Sequence, residues 1–313
     1  MGIRCRRGTA AALAAALALA VAAPAAAGQQ GGIDVPGNQG PPAADPPTDV
    51  QPGPVPRCKR ARLRCVKRLE RHLTREWKRH DATCDHRAVV YYAYLEITKG
   101  LRRDLAGPRP GIVRHRRWMT FLITTFSNRF RDAFADHAAG RPVPDGWRIA
   151  FEAYDSGDAN AGQDVLLFSS VHVQHDLAYA YEEMGIATRS GESRKPDHDA
   201  VNAINRDVFD PIQDYIAAHY DPSFAVIDGG PSPLDETATL ELVETWRENG
   251  WRYGERLLAA GTEAERDEVV AEIEANARSW AELISSGGSP GTREQRDAFC
   301  LRNHEWGPPP GPR

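Results

Sequence analysis

From residue 58 onward, apolar side chains recur at helical spacing. Cys58, Cys65, Leu69, Leu73 and Trp77 fall one or two turns apart, which predicts a helix over 58–80. Val89, Ala93, Ile97 and Leu101 form a stripe over 86–104, opened by Asp85. Trp118, Leu122, Phe126, Phe130 and Phe134 stand four apart through 115–138. Pro144 starts a shorter helix running through Tyr154. Residues 161–184 make the most apolar segment, and Gly185 ends it. Pro196-Asp197 opens a helix to about His219, stopped by Asp221-Pro222. Helices over 233–260 and 262–285 follow, the second starting with Thr262 and Glu265 at capping-box spacing. A short helix over 292–302 closes the series. There is no β-type alternation and no fixed-period repeat. The pattern predicts an all-α, single bundle-like domain of eight or nine helices. Its centre should be 115–138 and 161–184.

The ends of the chain read differently. Arg4, Arg6 and Arg7, an Ala/Leu-rich run to Ala23, then Pro24 and Ala25-Ala26-Ala27 are the parts of a secretory signal over 1–27. Residues 28–56 hold Gly, Pro, Gln and Asp and too few large apolar groups to offset ordering entropy, so they read as a disordered linker. The helical domain then spans 57–306, and the Pro/Gly-rich 307–313 is a frayed tail. No later apolar run approaches the ~18 residues of a membrane span. The expected localisation is secreted or extracellular, with cell-wall association through the basic segment described below.

Removing the signal takes Cys5 with it and leaves Cys58, Cys65, Cys84 and Cys300. In an exported chain these can form two disulfides. No C-x-x-C spacing suggests a zinc cluster. If Cys58 and Cys65 share one continuous helix, their seven-residue separation rises ~10.5 Å, beyond the ~7 Å that a disulfide spans. Each should then pair with Cys84 or Cys300, unless the helix begins only after Cys58.

Charge changes the picture at one place. The chain is −4 overall, yet residues 57–80 hold 11 Arg/Lys against two Glu. One reading is attraction to an anionic envelope polymer or lipid. The other is a solvated helix whose arginines answer acidic helices such as EAERDEVVAEIEAN. Only His72, Trp77 and His80 interleave the basic residues, too few for a nucleic-acid stacking platform. The great excess of Arg over Lys, with abundant Ala, fits GC-biased coding.

The candidate chemistry lies in three polar strings. In VHVQHDL, His172, His175 and Asp176 share one helix face. In SRKPDHDAVN, His198 and Asn202 lie one turn apart, flanked by Arg194, Asp197 and Asp199. His86 follows Cys84-Asp85. A metal reading takes His172, Asp176 and His198 as ligands of zinc or another divalent ion, with His86 as a fourth. Asp197 or Asp199 would then orient a His or activate water, and His175, Asn202 and Arg194 are binding candidates. That reading requires His172, Asp176 and His198 to converge on one point. The competing reading is a structural network in which Asp176 accepts from His198 or Arg194, while Asp197 and Asp199 cap their helix. The functional expectation is an exported metal-dependent hydrolase, or else a non-catalytic envelope or binding protein. No G-x-S-x-G elbow, P-loop, H-E-x-x-H or dinucleotide glycine pattern is present.

The strings CDHRAVVYYAYLEITKG, VPDGWRIAFEAY, VHVQHDLAYAYEEMG and SRKPDHDAVNAIN resemble the successive motifs of a secreted actinobacterial family of unknown function. The resemblance runs over about 84–225, and SRKPDHDAVN is its most specific part. Ser170-Val171-His172 stands where that family commonly has Asn-Ala-His. The resemblance implies a helical fold and weight on these polar strings, and no activity.

Overall fold

Each apolar stripe of the sequence is the buried face of a helix. In this computed structural model, residues 58, 61–108, 111–157, 159–224, 236–287 and 293–304 are described. The signal 1–27, the linker 28–56 and the tail 307–313 lie outside them. The helices are α1 (Leu63–Asp81), α2 (Arg87–Ala106), α3 (Arg116–Ala138), α4 (Asp145–Ser156), α5 (Ala161–Val171), α6 (Leu177–Met184), α7 (Lys195–His219), α8 (Glu236–Ala259), α9 (Glu263–Ser285) and α10 (Arg293–Asn303). A π-helical turn, His172–Asp176, joins α5 to α6 into one continuous rod. The fold is all-α. Among the described residues there is no strand, only an isolated bridge between Ala187 and Ser193. No described helix is long and apolar enough to cross a membrane.

Local chemistry sets the boundaries. Asn160 and Gln163 form a capping box at the start of α5, and Thr262 and Glu265 form the expected one at α9. Gly157 and Gly185 end α4 and α6 at positive φ, 72° and 67°. The α5–α6 rod is central, packed against α2, α3, α4, α8 and α9. Around it Phe130, Phe134, Trp147, Phe151 and Phe168 build an aromatic core. Phe134 meets Phe151 edge-on at 5.0 Å, and Phe130 lies 4.5 Å from Phe134. On α8, Gly250 and Gly254 let the rod come close. A Cβ at 250 would lie 2.8 Å from the Val173 carbonyl oxygen, and one at 254 would lie 2.7 Å from the Tyr181 Cβ.

The sulfur pairing differs from the continuous-helix expectation. Cys58 bonds to Cys65, with Cα atoms 5.8 Å apart, and Cys84 bonds to Cys300. The reason is the helix start: α1 begins at Leu63, so Cys58 lies ahead of the helix and no helical rise separates it from Cys65. The Cys84–Cys300 bond ties α10 to the α1–α2 connection.

On α1, Cys65, Val66, Leu69, Leu73 and Trp77 are buried, while Arg64, Lys67, Arg71 and Arg75 are exposed. Glu70 pairs with Arg102 of α2 at 2.6 Å. The acidic helix expected to answer the α1 arginines is α9, and its ion pairs include Arg256–Glu272 to α8, Arg266–Glu182 to α6, His175–Glu274 to the π turn and Arg278–Asp145 to α4.

Candidate functional site

The π turn decides the first constellation. One extra residue in the turn widens the helix, and such bulges recur at functional sites. Its residues His172, Gln174, His175 and Asp176 are all buried. Asp176 accepts from two imidazoles: His172 Nδ1 lies 2.7 Å from Oδ2, and His175 Nδ1 lies 2.7 Å from Oδ1. Trp147 Nε1 adds a longer contact to Oδ1 at 3.4 Å. On its other side His175 Nε2 meets Glu274 of α9 at 2.8 Å.

The charges follow from these contacts. Burial would raise Asp176, but the hydrogen bonds from His172 and His175 outweigh it and hold the carboxylate ionised. Burial would lower His175, but Asp176 and Glu274 lift it to about 9, so it is an imidazolium at neutral pH. Burial keeps His172 below its ordinary value and therefore neutral. With Nδ1–H given to Asp176, His172 presents a lone pair at Nε2. Tyr94 OH lies 3.3 Å from that nitrogen but only 2.6 Å from Ser127 Oγ. Ser127 gives its own proton to the Ile123 carbonyl at 2.6 Å, so the Tyr94 proton goes to Ser127. His172 Nε2 is thus left with only the long Tyr94 contact. Phe126 stacks on the ring at 3.6 Å.

His172 and Tyr94 line a cavity of about 190 Å³ between α2, α3, α5, α6, α7 and α8. Its walls are mostly aliphatic and aromatic, with Leu101, Met119, Leu122 and Phe130 among them. At another part of the wall stand His198, Asn205, Tyr181 and Arg247.

His198 belongs to that second group and not to the first. Its Nδ1 accepts from Tyr181 OH and lies 3.5 Å from Arg247 Nη2. A guanidinium only donates, so the neutral ring carries its proton on Nε2. Burial, followed by the nearby Arg247, Lys195 and Arg252 charges, keeps His198 well below its ordinary value. Arg247 also donates from Nη2 to the His198 carbonyl and from Nε to Asn202 Oδ1, each at 2.6 Å.

The four expected metal ligands therefore do not converge. His172 and Asp176 come together as a hydrogen-bonded pair. His198 stands with Asp199 and Glu248, whose ligand atoms lie within 4.8 Å of one another. His86 lies elsewhere, 3.0 Å from buried Asp164 and 3.5 Å from Asp297. Asp197 neither caps its own helix nor faces a His–metal centre. It accepts from the backbone N–H groups of Arg114 and His115 and from His115 Nδ1, tying the start of α3 to α7. Asp199 is held by Lys195 at 2.5 Å. Arg194 reaches the Gly185 carbonyl and lies over Trp118, and Asp176 accepts from neither Arg194 nor His198. Sequence reading passed over Arg247, Tyr94, Tyr181 and Glu274. For Arg247 a signal existed: it falls on one helix face with Val243, Gly250, Trp251 and Gly254, an apolar and close-packing stripe.

A family model matches residues 66–287, which carry both polar groups and every residue named on the cavity wall. The chain belongs to this family of unknown function, DUF5995. Cys58, Cys65 and Cys300 lie outside the DUF5995 match, so both disulfides join matched to unmatched chain or lie at its edge. No curated protein and no solved structure matches the chain.

Proposed function

We propose that this DUF5995 protein binds an apolar small molecule in the cavity between α2, α3, α5, α6, α7 and α8. The cavity carries the reading. It offers about 190 Å³ behind an almost wholly apolar wall, which an apolar occupant would remove from water. The few polar groups on its wall fix orientation, as in most ligand pockets. His172 Nε2 offers an occupant's O–H or N–H an acceptor. The Asp176–His175–Glu274 chain behind it holds that ring in place. The test is titration with the uncharged fluorophore N-phenyl-1-naphthylamine. Saturable, one-to-one fluorescence enhancement with a raised melting temperature is expected, and weakening in Ala93→Trp, which fills the wall. Enhancement that never saturates would refute the reading.

A second reading keeps metal-dependent hydrolysis, now at His198, Asp199 and Glu248, the cluster with ligand spacing. Two features oppose it. Lys195 already pairs with both carboxylates, at 2.5 and 2.7 Å. The lone pair of His198 faces Tyr181 and Arg247, so a metal on Nε2 would force a proton toward a guanidinium.

The two disulfides are compatible with a place outside the cytoplasm. There the exposed Arg64, Arg71 and Arg75 would face anionic polymer or lipid. Retention on phosphatidylglycerol vesicles should fall steeply with salt and vanish when all three are changed to Glu.

A further inference from the structure

Arg247 is a buried cation with no carboxylate of its own. It is 8% exposed, and it is one of the residues that line the cavity. Its hydrogen-bond partners are neutral: the His198 carbonyl, Asn202 Oδ1 and, at 3.5 Å, His198 Nδ1. The carboxylates around it are engaged by other cations. Asp199 and Glu248 pair with Lys195, Glu248 also with Arg252, and Glu244 with Arg206. Among the described residues none lies within ion-pair distance of Arg247. A guanidinium removed from water without a carboxylate in contact is costly, and here burial pulls its pKa down, the more distant charges of Asp199 and Glu244 offsetting it only in part. Asn205, also on the cavity wall, has a buried Oδ1 with no hydrogen-bond partner. An amide can turn its NH₂ inward toward an acceptor in that space.

Two independent observations thus meet at one wall: a largely apolar cavity, and a buried positive group on its lining. We infer that the ligand is a single-chain amphiphile with a carboxylate head, its oxygens on Arg247 and its hydrocarbon chain running between α2, α3 and α5. The inference rests on the cavity reading above and adds the head group to it. A planar fork of N–H donors suits a carboxylate, and an aliphatic chain suits Leu101, Leu122, Ile123 and Phe126. Arg247 would gain the counter-ion that the chain does not supply. The polar groups of the head would stay off the apolar walls.

Decanoate and 1-decanol share a chain and differ in the head. Calorimetric titration of the full-length protein with each, below its micellar concentration, separates the two claims. Decanoate should bind about ten-fold or more tightly than decanol, the scale of one hydrogen-bonded charge pair. In Arg247→Met the two should bind alike, with decanol affinity unchanged, and Arg247→Lys should keep part of the preference. Equal binding of both by the wild type would overturn the carboxylate head and leave the cavity reading standing. Binding of neither would overturn both. Since the first comparison needs only the wild type, a variant that fails to fold does not remove the test. Preference for decanoate persisting in a folded Arg247→Met would overturn the role of Arg247.

Discussion

His172 gives its Nδ1 proton to Asp176, 2.7 Å away, and so keeps the lone pair on Nε2, where its contact is the long one to Tyr94 at the cavity wall. The pair works only because Asp176 stays ionised between two N–H donors. Asp176→Asn removes that charge while His175 and Glu274 remain. Breaking a buried pair from one side typically costs about 3–5 kcal/mol. We expect a loss of that order in urea denaturation. The His175 pKa, followed by NMR of its ring protons, should fall from about 9 toward its ordinary value. A His175 titration unmoved by the substitution would mean that Asp176 does not hold it charged.

The same network gives a pH dependence. His175 has a folded pKa of about 9 against an ordinary 6.5. Its contribution is therefore fully present below 6.5 and is lost as pH rises through about 9, roughly 3 kcal/mol in all. His172 and His198 act in the other direction. Both are depressed by burial, so below their ordinary value the unfolded chain binds protons that the native state refuses. Stability should peak near pH 6.5 and decline on both sides. In His175→Gln the alkaline decline between 6.5 and 9 should flatten, with lower stability at pH 6.5. Thermal melts across that range decide it; an alkaline limb of unchanged slope would assign the decline to other groups.

The two disulfides close loops of very different length, with sequence separations of 7 and 216. Loop-closure entropy gives about 2.5 kcal/mol for the short bond and about 5 kcal/mol for the long one. Replacing both Cys84 and Cys300 by Ser should therefore destabilise the protein about twice as much as replacing Cys58 and Cys65. Chemical denaturation of the two double variants compares them. Equal losses would mean that residual unfolded-state structure already closes the long loop.

What the sequence made legible was local. The helical segments were readable because their apolar side chains repeat each turn, though the π turn that divides 161–184 into α5 and α6 was not, and the His172–Asp176 pair was readable because four residues put both groups on one face. The start of α1 was not. Basic residues on both sides of Cys58 and the helical offset to Cys65 give no sign that the helix begins at Leu63, and the disulfide pairing turned on that start. The separation of His198 from His172 was also hidden. It depends on α8 packing along α6 through Gly250 and Gly254 and placing Arg247 beside His198, a relation between segments 49 residues apart. Asp197 likewise finds its partners at Arg114 and His115, which no local spacing reports.

Zinc discriminates the two functional readings at the second cluster. In the wild type, the Lys195 ammonium occupies the space between Asp199 and Glu248. Added zinc should leave the melting temperature unchanged. Lys195→Met would leave two carboxylates beside His198 without that cation, and zinc should then raise the melting temperature of the variant by mass action. If the wild type purified without a His tag already carries one equivalent of zinc, the metal reading prevails over the simple binding protein.

Gly250 tests how far the π turn depends on α8. In an exposed helix interior, Gly→Ala gains about 1 kcal/mol in helix propensity. Here the added Cβ would lie 2.8 Å from the Val173 carbonyl oxygen and 3.4 Å from Leu177. The oxygen belongs to backbone and cannot swing aside like a side-chain tip. Either α8 retreats or the turn from His172 to Asp176 shifts. Overpacking of this kind costs roughly 1–3 kcal/mol, enough to cancel the propensity gain and reverse its sign. Gly250→Ala should therefore lower the urea midpoint. It should also weaken N-phenyl-1-naphthylamine binding, because His172 and Val173 line the cavity from that turn. Gly261→Ala lies beyond α8, where the nearest atom is a Glu265 side-chain oxygen at 3.5 Å, and should leave binding unchanged. A stabilised Gly250→Ala with full binding would show that α8 and the π turn have slack between them, and that the close approach does not position His172.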